Sequence, residues 1–433
     1  MSSTLGPPTL DDALAYLDAH VNFETAPQRR AQPTLARMKT VCQLLGDPQL
    51  SYPVVHLTGT NGKGSTARMT TALLQAHGLA VGTYTSPHLE RVNERVAWDG
   101  EPIADAELAA HLMSLAPLEK HLGVLLTHFE VLTAAAFAWF ADVAVDAAVV
   151  EVGMGGRWDS TNVTEAAVAV VTNVGLDHAE VLGPTRLDIA TEKAGIVKPG
   201  ATLVLGETSE ALQKPFLERG AAEVWRRDRD FGCVDNRVAV GGRLLELRTP
   251  GGSYEEVFLP LFGAHQGDNA ACAVAAAEAF FGRPLDPDVV SATLAGVSVP
   301  GRFEVMGRRP LVVLDGAHNP DGARALADTL AEDLAGRFPD VLVVGFTAGR
   351  DPAEMLSILE AHRARRVLAV RPPSPRGLAA EEVAAAAPPG VRVEPVASVP
   401  EALDEAVVAA GADGFVLVTG SLYVVGDARI ALH

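Results

Sequence analysis

Cysteine, aromatic side chains, basic charge and long apolar runs are all scarce in this chain. The three cysteines, Cys42, Cys233 and Cys272, are scattered and odd in number. That argues against a disulfide framework or a cysteine-based metal site; they read as small buried hydrophobes in a reducing compartment. Aromatics make up 5% of residues, so alanine, valine and leucine must supply the cores. No run of about 18 uninterrupted apolar residues occurs, so no membrane span is expected. Residues 1–8, MSSTLGPP, lack the basic and apolar blocks of a signal peptide, and a cytoplasmic location is expected. Lys and Arg number 35 against 54 Asp and Glu, a net charge of −19. This balance argues against nonspecific binding to nucleic acid or to a membrane surface. It leaves anionic small substrates open, because backbone amides, a lysine and metal ions can make a locally positive site on an acidic protein. No internal repeat or low-complexity tract occurs.

What is present is an α/β rhythm. At 433 residues the chain is long enough for two or three domains. Short, mostly β-branched runs at 54–57, 147–150, 168–172 and 202–205 read as buried strands of a mostly parallel sheet. Helices are predicted over 106–115, 130–140 and 270–281. Alternation over 237–261, broken at Gly241-Gly242 and Gly251-Gly252, predicts β-hairpins at the edge of this first domain. A boundary is expected near Val299-Pro300-Gly301. Beyond it, strands at 311–314, 341–344, 366–370 and 414–418 alternate with helices at 323–334, 352–362 and 400–409. The expected organisation is an ATP-binding phosphate-loop domain over 1–298, a hinge over 299–302, and a smaller Rossmann-like α/β domain over 303–433. Two such domains invite a site in the cleft.

The run GTNGKGS, Gly59-Thr60-Asn61-Gly62-Lys63-Gly64-Ser65, lies between the strand at 54–57 and a helix-like stretch. Glycines let the backbone approach phosphate oxygens, and amides at a helix start point at the anion. Lys63 can neutralise phosphate charge, and Ser65 or Thr66 can reach magnesium. Two residues separate the first glycine from Gly-Lys, where the general pattern has four.

Further polar residues follow predicted strands. Ser86, in TSPHL, can come beside the nucleotide. Glu151, opening EVGMGGR at a strand end, suits a hard magnesium ion. His178, in NVGLDH, can ligate a metal or contact an acyl phosphate, with Asp177 fixing its tautomer. Lys193, in TEKAGI, is as an amine a poor magnesium ligand; its ordinary reading is a surface lysine at a helix start. Asn269, in HQGDNA, reads as part of a polar helix cap. Arg302, in PGRFE, offers a planar fork for phosphate, with a surface ion pair as the plain alternative. Asp315 and His318, in DGAHNP, can take ribose hydroxyls and approach the transferred phosphate, or simply cap a turn.

GTNGKGS resembles the loop of the Mur ligase superfamily, and within it the chain is most similar to the folylpolyglutamate synthase/dihydrofolate synthase family. TSPHL, EKAGI, PGRFE, DGAHNP and the run 420–426, GSLYVVG, agree with it in order over about 33–429. The resemblance implies Ser86 and His178 as metal ligands and Lys193 as a lysine carbamylated by carbon dioxide, which makes it an oxygen ligand for a second magnesium ion. It further implies Asn269 near adenine, Arg302 on phosphate, and Ser421 seating the incoming glutamate. Lys63, Glu151, His178, Lys193 and His318 are the catalytic candidates. Gly59 to Ser65, Asn269, Arg302 and Asp315 are the ATP-binding candidates, and Ser65, Ser86, Glu151, His178 and Lys193 the metal candidates. One departure stands out: Gly349-Arg350-Asp351 occupies the place of the family's Asp-Lys-Asp.

The implied activity is ATP-dependent addition of L-glutamate to tetrahydrofolates, and to dihydropteroate, through an acyl phosphate, with ATP and two magnesium ions, in a monomer. Pterin recognition is expected around 21–38. Three alternatives stay open at this level: a cell-wall Mur ligase, a paralogue acting on a non-folate acid, and a nucleotide-binding protein that does not ligate. About 53 residues before the loop strand are few for the extra N-terminal domain of the first.

Overall fold

The computed structural model describes residues 8–23, 34–123 and 125–433. The chain divides into two compact units: Met1–Val234 with Glu246–Val257 and Asp268–Leu294, and Asp235–Leu245 with Phe258–Gly267 and Ala295–His433.

The first unit is built on eight strands: β1 Val54–Thr58, β2 Val81–Tyr84, β3 Val96–Trp98, β4 Glu101–Pro102, β5 Ala147–Glu151, β6 Ala166–Val171, β7 Thr202–Leu205 and β8 Glu223–Arg226. Their order is β4-β3-β2-β5-β1-β6-β7-β8. From β2 to β8 all pairings are parallel, and β3 and β4 add antiparallel. β1 and β5 are buried along their whole lengths. That burial on both faces is why they read as unbroken apolar runs rather than alternating ones. Helices cover the sheet, and the helix His128–Asp142 is buried over most of its length. After β1 the chain passes to β2, on the far side of β5, whereas β6 lies on β1's other flank. Such a reversal opens a crevice at the carboxyl ends of the strands, where ligands bind in open α/β sheets.

Three further strands, β9 Gly232–Ala239, β10 Gly242–Thr249 and β11 Gly252–Leu259, turn at the two predicted glycine pairs. They form a separate sheet, ordered β11-β10-β9, rather than extending the edge of the larger one. Each of these strands has residues in both units.

The second unit carries β12 Glu304–Arg308, β13 Leu311–Leu314, β14 Val341–Val344, β15 Arg366–Ala369, β16 Val393–Pro395 and β17 Phe415–Thr419, ordered β12-β13-β17-β14-β15-β16. All pairings are parallel except that of β12. Its core joins Val313, Leu342, Val344 and Leu417 from the sheet to Leu326 and Leu330 of the helix Pro320–Asp333.

Three helices differ from expectation. The helix Asp105–Leu122 is longer than predicted. The helix predicted from 270 begins at His265, because bonds from Gln266 N to Gly263 O and from Gly267 N to Ala264 O already wind its first turn. The helix Pro352–Ile358 stops early, since Glu360 turns left-handed at φ 49° before the short turn Ala361–Arg363. Of the segment 21–38, residues 24–33 lie outside the described residues.

Candidate active site

The phosphate loop runs from the end of β1 into the helix Lys63–Ala76. Gly62 caps that helix at φ 82°. A Cβ there would also lie 2.3 Å from Asn269 Oδ1, and one at Gly59 would lie 1.8 Å from Thr172 Oγ1. Glycine is therefore required at both places by close approach. Asn173 holds the loop. Thr60 N donates to Asn173 O at 3.1 Å. Asn61 N donates to Asn173 Oδ1 at 3.0 Å, and Asn61 O accepts from Asn173 Nδ2 at 2.9 Å and Thr172 Oγ1 at 2.6 Å. The Thr60 and Asn61 amides are thus engaged in shaping the loop. The amides of Lys63, Gly64 and Ser65, in the first helical turn, have no intrahelical acceptor and suit an anion.

Glu151 ends β5 beside this loop and is 3% exposed. Its Oε1 lies 3.9 Å from Lys63 Nζ, and its Oε2 accepts from Ser86 N at 3.2 Å. Lys63, Glu151 and Ser86 are thereby brought together from three strand ends.

Lys193 corrects one expectation. It ends the helix Arg186–Lys193 rather than starting one, and it is buried, at 4% exposure, rather than on the surface. Its Nζ donates to Gly59 O at 2.7 Å. Burial, and then the nearby Lys63 charge, push its pKa down to about 7, against the pull of Asp177 and Asp159. Two glycines permit the burial. A Cβ at Gly156 would lie 2.8 Å from Lys193 O, and one at Gly195 would lie 2.3 Å from Arg157 Cα. The 151–157 loop and the Lys193 segment therefore lie backbone against backbone, tied by Arg157 N to Glu192 O and by an Arg157–Glu192 ion pair of 3.0 Å.

His178 is left-handed, at φ 52°, and half-buried, with Asp177 Oδ1 3.9 Å from its Nε2. Asp177 Oδ1 also accepts from His178 N at 2.8 Å. Among the described residues no three His, Cys, Asp or Glu side chains cluster as a metal site. Glu151, with the Ser86 and Ser65 hydroxyls, has the oxygen chemistry that a magnesium ion favours. The Lys193 amine does not fit a cation; it fits only once converted to a carboxylate-like group.

In the second unit, Asp315, Ser421 and their neighbours meet where β13 and β17 end. Asp315 N donates to Val418 O and Gly420 N to Ala317 O. Asp315 accepts from Phe303 N and Ala317 N, both at 2.9 Å. Burial raises its pKa, opposed by Arg302 and these amides. A Cβ on Gly316 would lie 2.3 Å from Arg302 Nη1, so the guanidinium lies over this turn. His318 Nδ1 is 2.8 Å from Gly316 O; a carbonyl only accepts, so Nδ1 carries the proton. Ser421 is buried and caps the helix Leu422–Leu432 by accepting from Tyr423 N at 3.2 Å. Gly349 is left-handed at φ 90°, beside Arg376, whose Nη2 donates to Ala348 O.

Sequence reasoning missed two residues here. Asn173 stands inside NVGLDH beside a more conspicuous acid and histidine; a carboxamide directly after a buried strand is the signal that marks it. Asp159 is buried and accepts from Met154 N and Thr161 N, bracing the loop after Glu151. Nothing local distinguishes it from a turn aspartate.

A phosphate loop and acidic side chain at a switch point, beside a buried lysine and followed by a second α/β unit, define a ligase of Mur type. Residues 57–277 match the Mur ligase middle domain, and 301–422 match the Mur ligase glutamate ligase domain. The chain is 42% identical over 405 residues to the dihydrofolate synthase/folylpolyglutamate synthase of Mycobacterium tuberculosis, covering 88% of itself and 83% of that protein. Mycobacterium tuberculosis folylpolyglutamate synthase complexed with ADP superposes with a TM-score of 0.88 at 40% identity, over 97% of this chain and 99% of that one. E. coli FolC in complex with DHPP and ADP gives 0.85 at 31%, over 98% and 97%. The chain belongs to the folylpolyglutamate synthase/dihydrofolate synthase family of the Mur ligase superfamily.

Proposed function

We propose that this protein is an ATP-dependent ligase that joins L-glutamate to folates, adding γ-linked glutamates to tetrahydrofolate and the first glutamate to dihydropteroate. ATP phosphorylates the substrate carboxylate, the amine of glutamate attacks the acyl phosphate, and phosphate leaves as the amide forms. Relatives solved with ADP and with DHPP support these ligand classes.

In-line phosphoryl transfer needs positioning and charge neutralisation rather than a protein nucleophile. The first-turn amides and Lys63 would take the phosphates. Glu151, Ser86, Ser65, His178 and Lys193 would hold two magnesium ions, which when bound would neutralise charge building on the transferred phosphoryl group. To the second unit we assign Arg302, Asp315 and His318 for the nucleotide and Ser421 for the incoming glutamate; to Asn269, which lies against Gly62, we assign a place beside adenine. The protein acts as a cytoplasmic monomer in this reading, with residues 299–302 as the hinge before the C-terminal domain.

The observation that carries the mechanism is Lys193. A buried lysine with a pKa near 7, bonded to the first carbonyl of the phosphate loop, can shed its proton at neutral pH inside the site. Its neutral amine is the form that adds carbon dioxide. Pterin carrying 18O in its reacting carboxylate tests the acyl phosphate. One label is expected in each released phosphate, and unlabelled phosphate would reject the route.

A further inference from the structure

The segment 173–175 has nearly every backbone polar group committed, in two directions. Toward the phosphate loop, Asn173 engages Thr60 and Asn61, and Gly175 N donates to Thr60 Oγ1 at 2.9 Å while Gly175 O accepts from it at 3.2 Å. Away from the loop, Val174 N donates to Glu207 Oε2 and Val174 O accepts from Arg186 Nε, both at 2.9 Å. Arg186 Nη2 and Glu207 Oε2 face each other at 3.6 Å. Glu207, just beyond β7, is buried, and its other oxygen accepts from Ser209 N at 2.8 Å. Arg186 begins the helix whose last residue is Lys193.

We infer that Glu207 and Arg186 are positioning residues for the nucleotide site. They form a clamp on the amide and the carbonyl of Val174, in two successive peptide groups, that holds Asn173 and Gly175 against the phosphate loop. Both lie outside the loop and touch none of the candidate phosphate-binding amides. A buried carboxylate accepting two amides is strongly committed to this geometry, because an amide left without an acceptor in the interior is unfavourable. The helix Arg186–Lys193 is consequently tied at both ends, by Arg186 to Val174 and by Lys193 to Gly59. The loop, the His178 turn and the Lys193 helix are thereby braced as one block. The inference rests on reading the loop as the nucleotide site.

ADP titration by calorimetry of wild type, Glu207→Ala, Arg186→Met and the double variant tests it, at a temperature where all are folded. Glu207→Ala is expected to weaken ADP binding by about tenfold or more, and Arg186→Met by about threefold to tenfold. Acting through one residue and facing each other at 3.6 Å, the two are expected to be non-additive, with the double variant within about twofold of Glu207→Ala. Glu278→Gln is the control. Glu278 is an equally buried carboxylate of the same unit, bound by Thr249 Oγ1 and Gly251 N. It should lower the Tm and leave ADP affinity alone. Unchanged affinity in Glu207→Ala, or additive effects, overturns the clamp. If Glu207→Ala does not fold, Arg186→Met decides alone, since its side chain is half exposed and its loss is tolerable. A wild type that binds no ADP rejects the reading of the loop, and the clamp with it.

Discussion

Replacing Lys193 with methionine should make the fold more stable at low pH while removing activity. Burial takes the lysine from 10.5 to about 7, which at about 1.4 kcal/mol per pH unit amounts to about 5 kcal/mol. The unfolded chain keeps its proton up to pH 10.5, whereas the folded protein releases it near 7. Between those values the unfolded state binds more protons, so wild-type stability rises with pH. Below pH 7 both states are charged and the fold carries the full burden. Methionine removes the charge at similar volume but loses the bond to Gly59 O, about 1–2 kcal/mol. Lys193→Met should therefore exceed wild type by about 3 kcal/mol at pH 6, with the gap closing and then reversing toward pH 10. Urea denaturation of both proteins in buffers stripped of carbon dioxide, from pH 6 to 10, reads the difference directly. Adding bicarbonate at pH 8 should stabilise wild type and leave the variant unmoved. A difference that stays flat with pH would refute the reasoning, since it would mean that Lys193 titrates alike in both states.

Glu151→Gln should lower substrate-dependent ADP formation by about a hundredfold, measured at saturating nucleotide; intact turnover at ordinary magnesium would remove Glu151 from the site. Gly62→Ala should destabilise the loop by about 1–2 kcal/mol for its left-handed backbone and by about 1–3 kcal/mol for its collision with Asn269. Adding Asn269→Ala should recover the second part in a melting experiment; no recovery would contradict the contact. In the second unit, Arg243→Met leaves Asp333, 2.7 Å from the guanidinium, as a buried unpaired carboxylate. It should cost about 3 kcal/mol, and Arg243→Met with Asp333→Asn should cost less. A double variant worse than the single one would show that the pair is not what the arginine supports.

The loop was legible because strand, glycines, lysine and helix stand in fixed order, and each step is local. The same holds for β1, β5 and β13, whose burial on both faces writes a continuous apolar run. Lys193 was legible only as part of a motif. Its burial depends on Gly156 and Gly195 admitting two backbones to close contact, and neither glycine's neighbour is visible from its own surroundings. Glu207 was invisible for a similar reason, since its partner Val174 lies far away in sequence. The early start at His265 was hidden because HQGD looks like a cap. The helix Leu10–Asp18 was missed although Thr9 and Asp12 make a readable capping box.

Glutamate ligation to a folate is read out by the mass of the product. Purified protein would be incubated with ATP, magnesium and L-glutamate, together with dihydropteroate, tetrahydrofolate or neither, and the pterins examined by mass spectrometry. A gain of one glutamyl unit is expected on each pterin, with phosphate released only when pterin and glutamate are both present. Absence of any gain on either pterin, from protein that still binds ADP, would contradict the ligation.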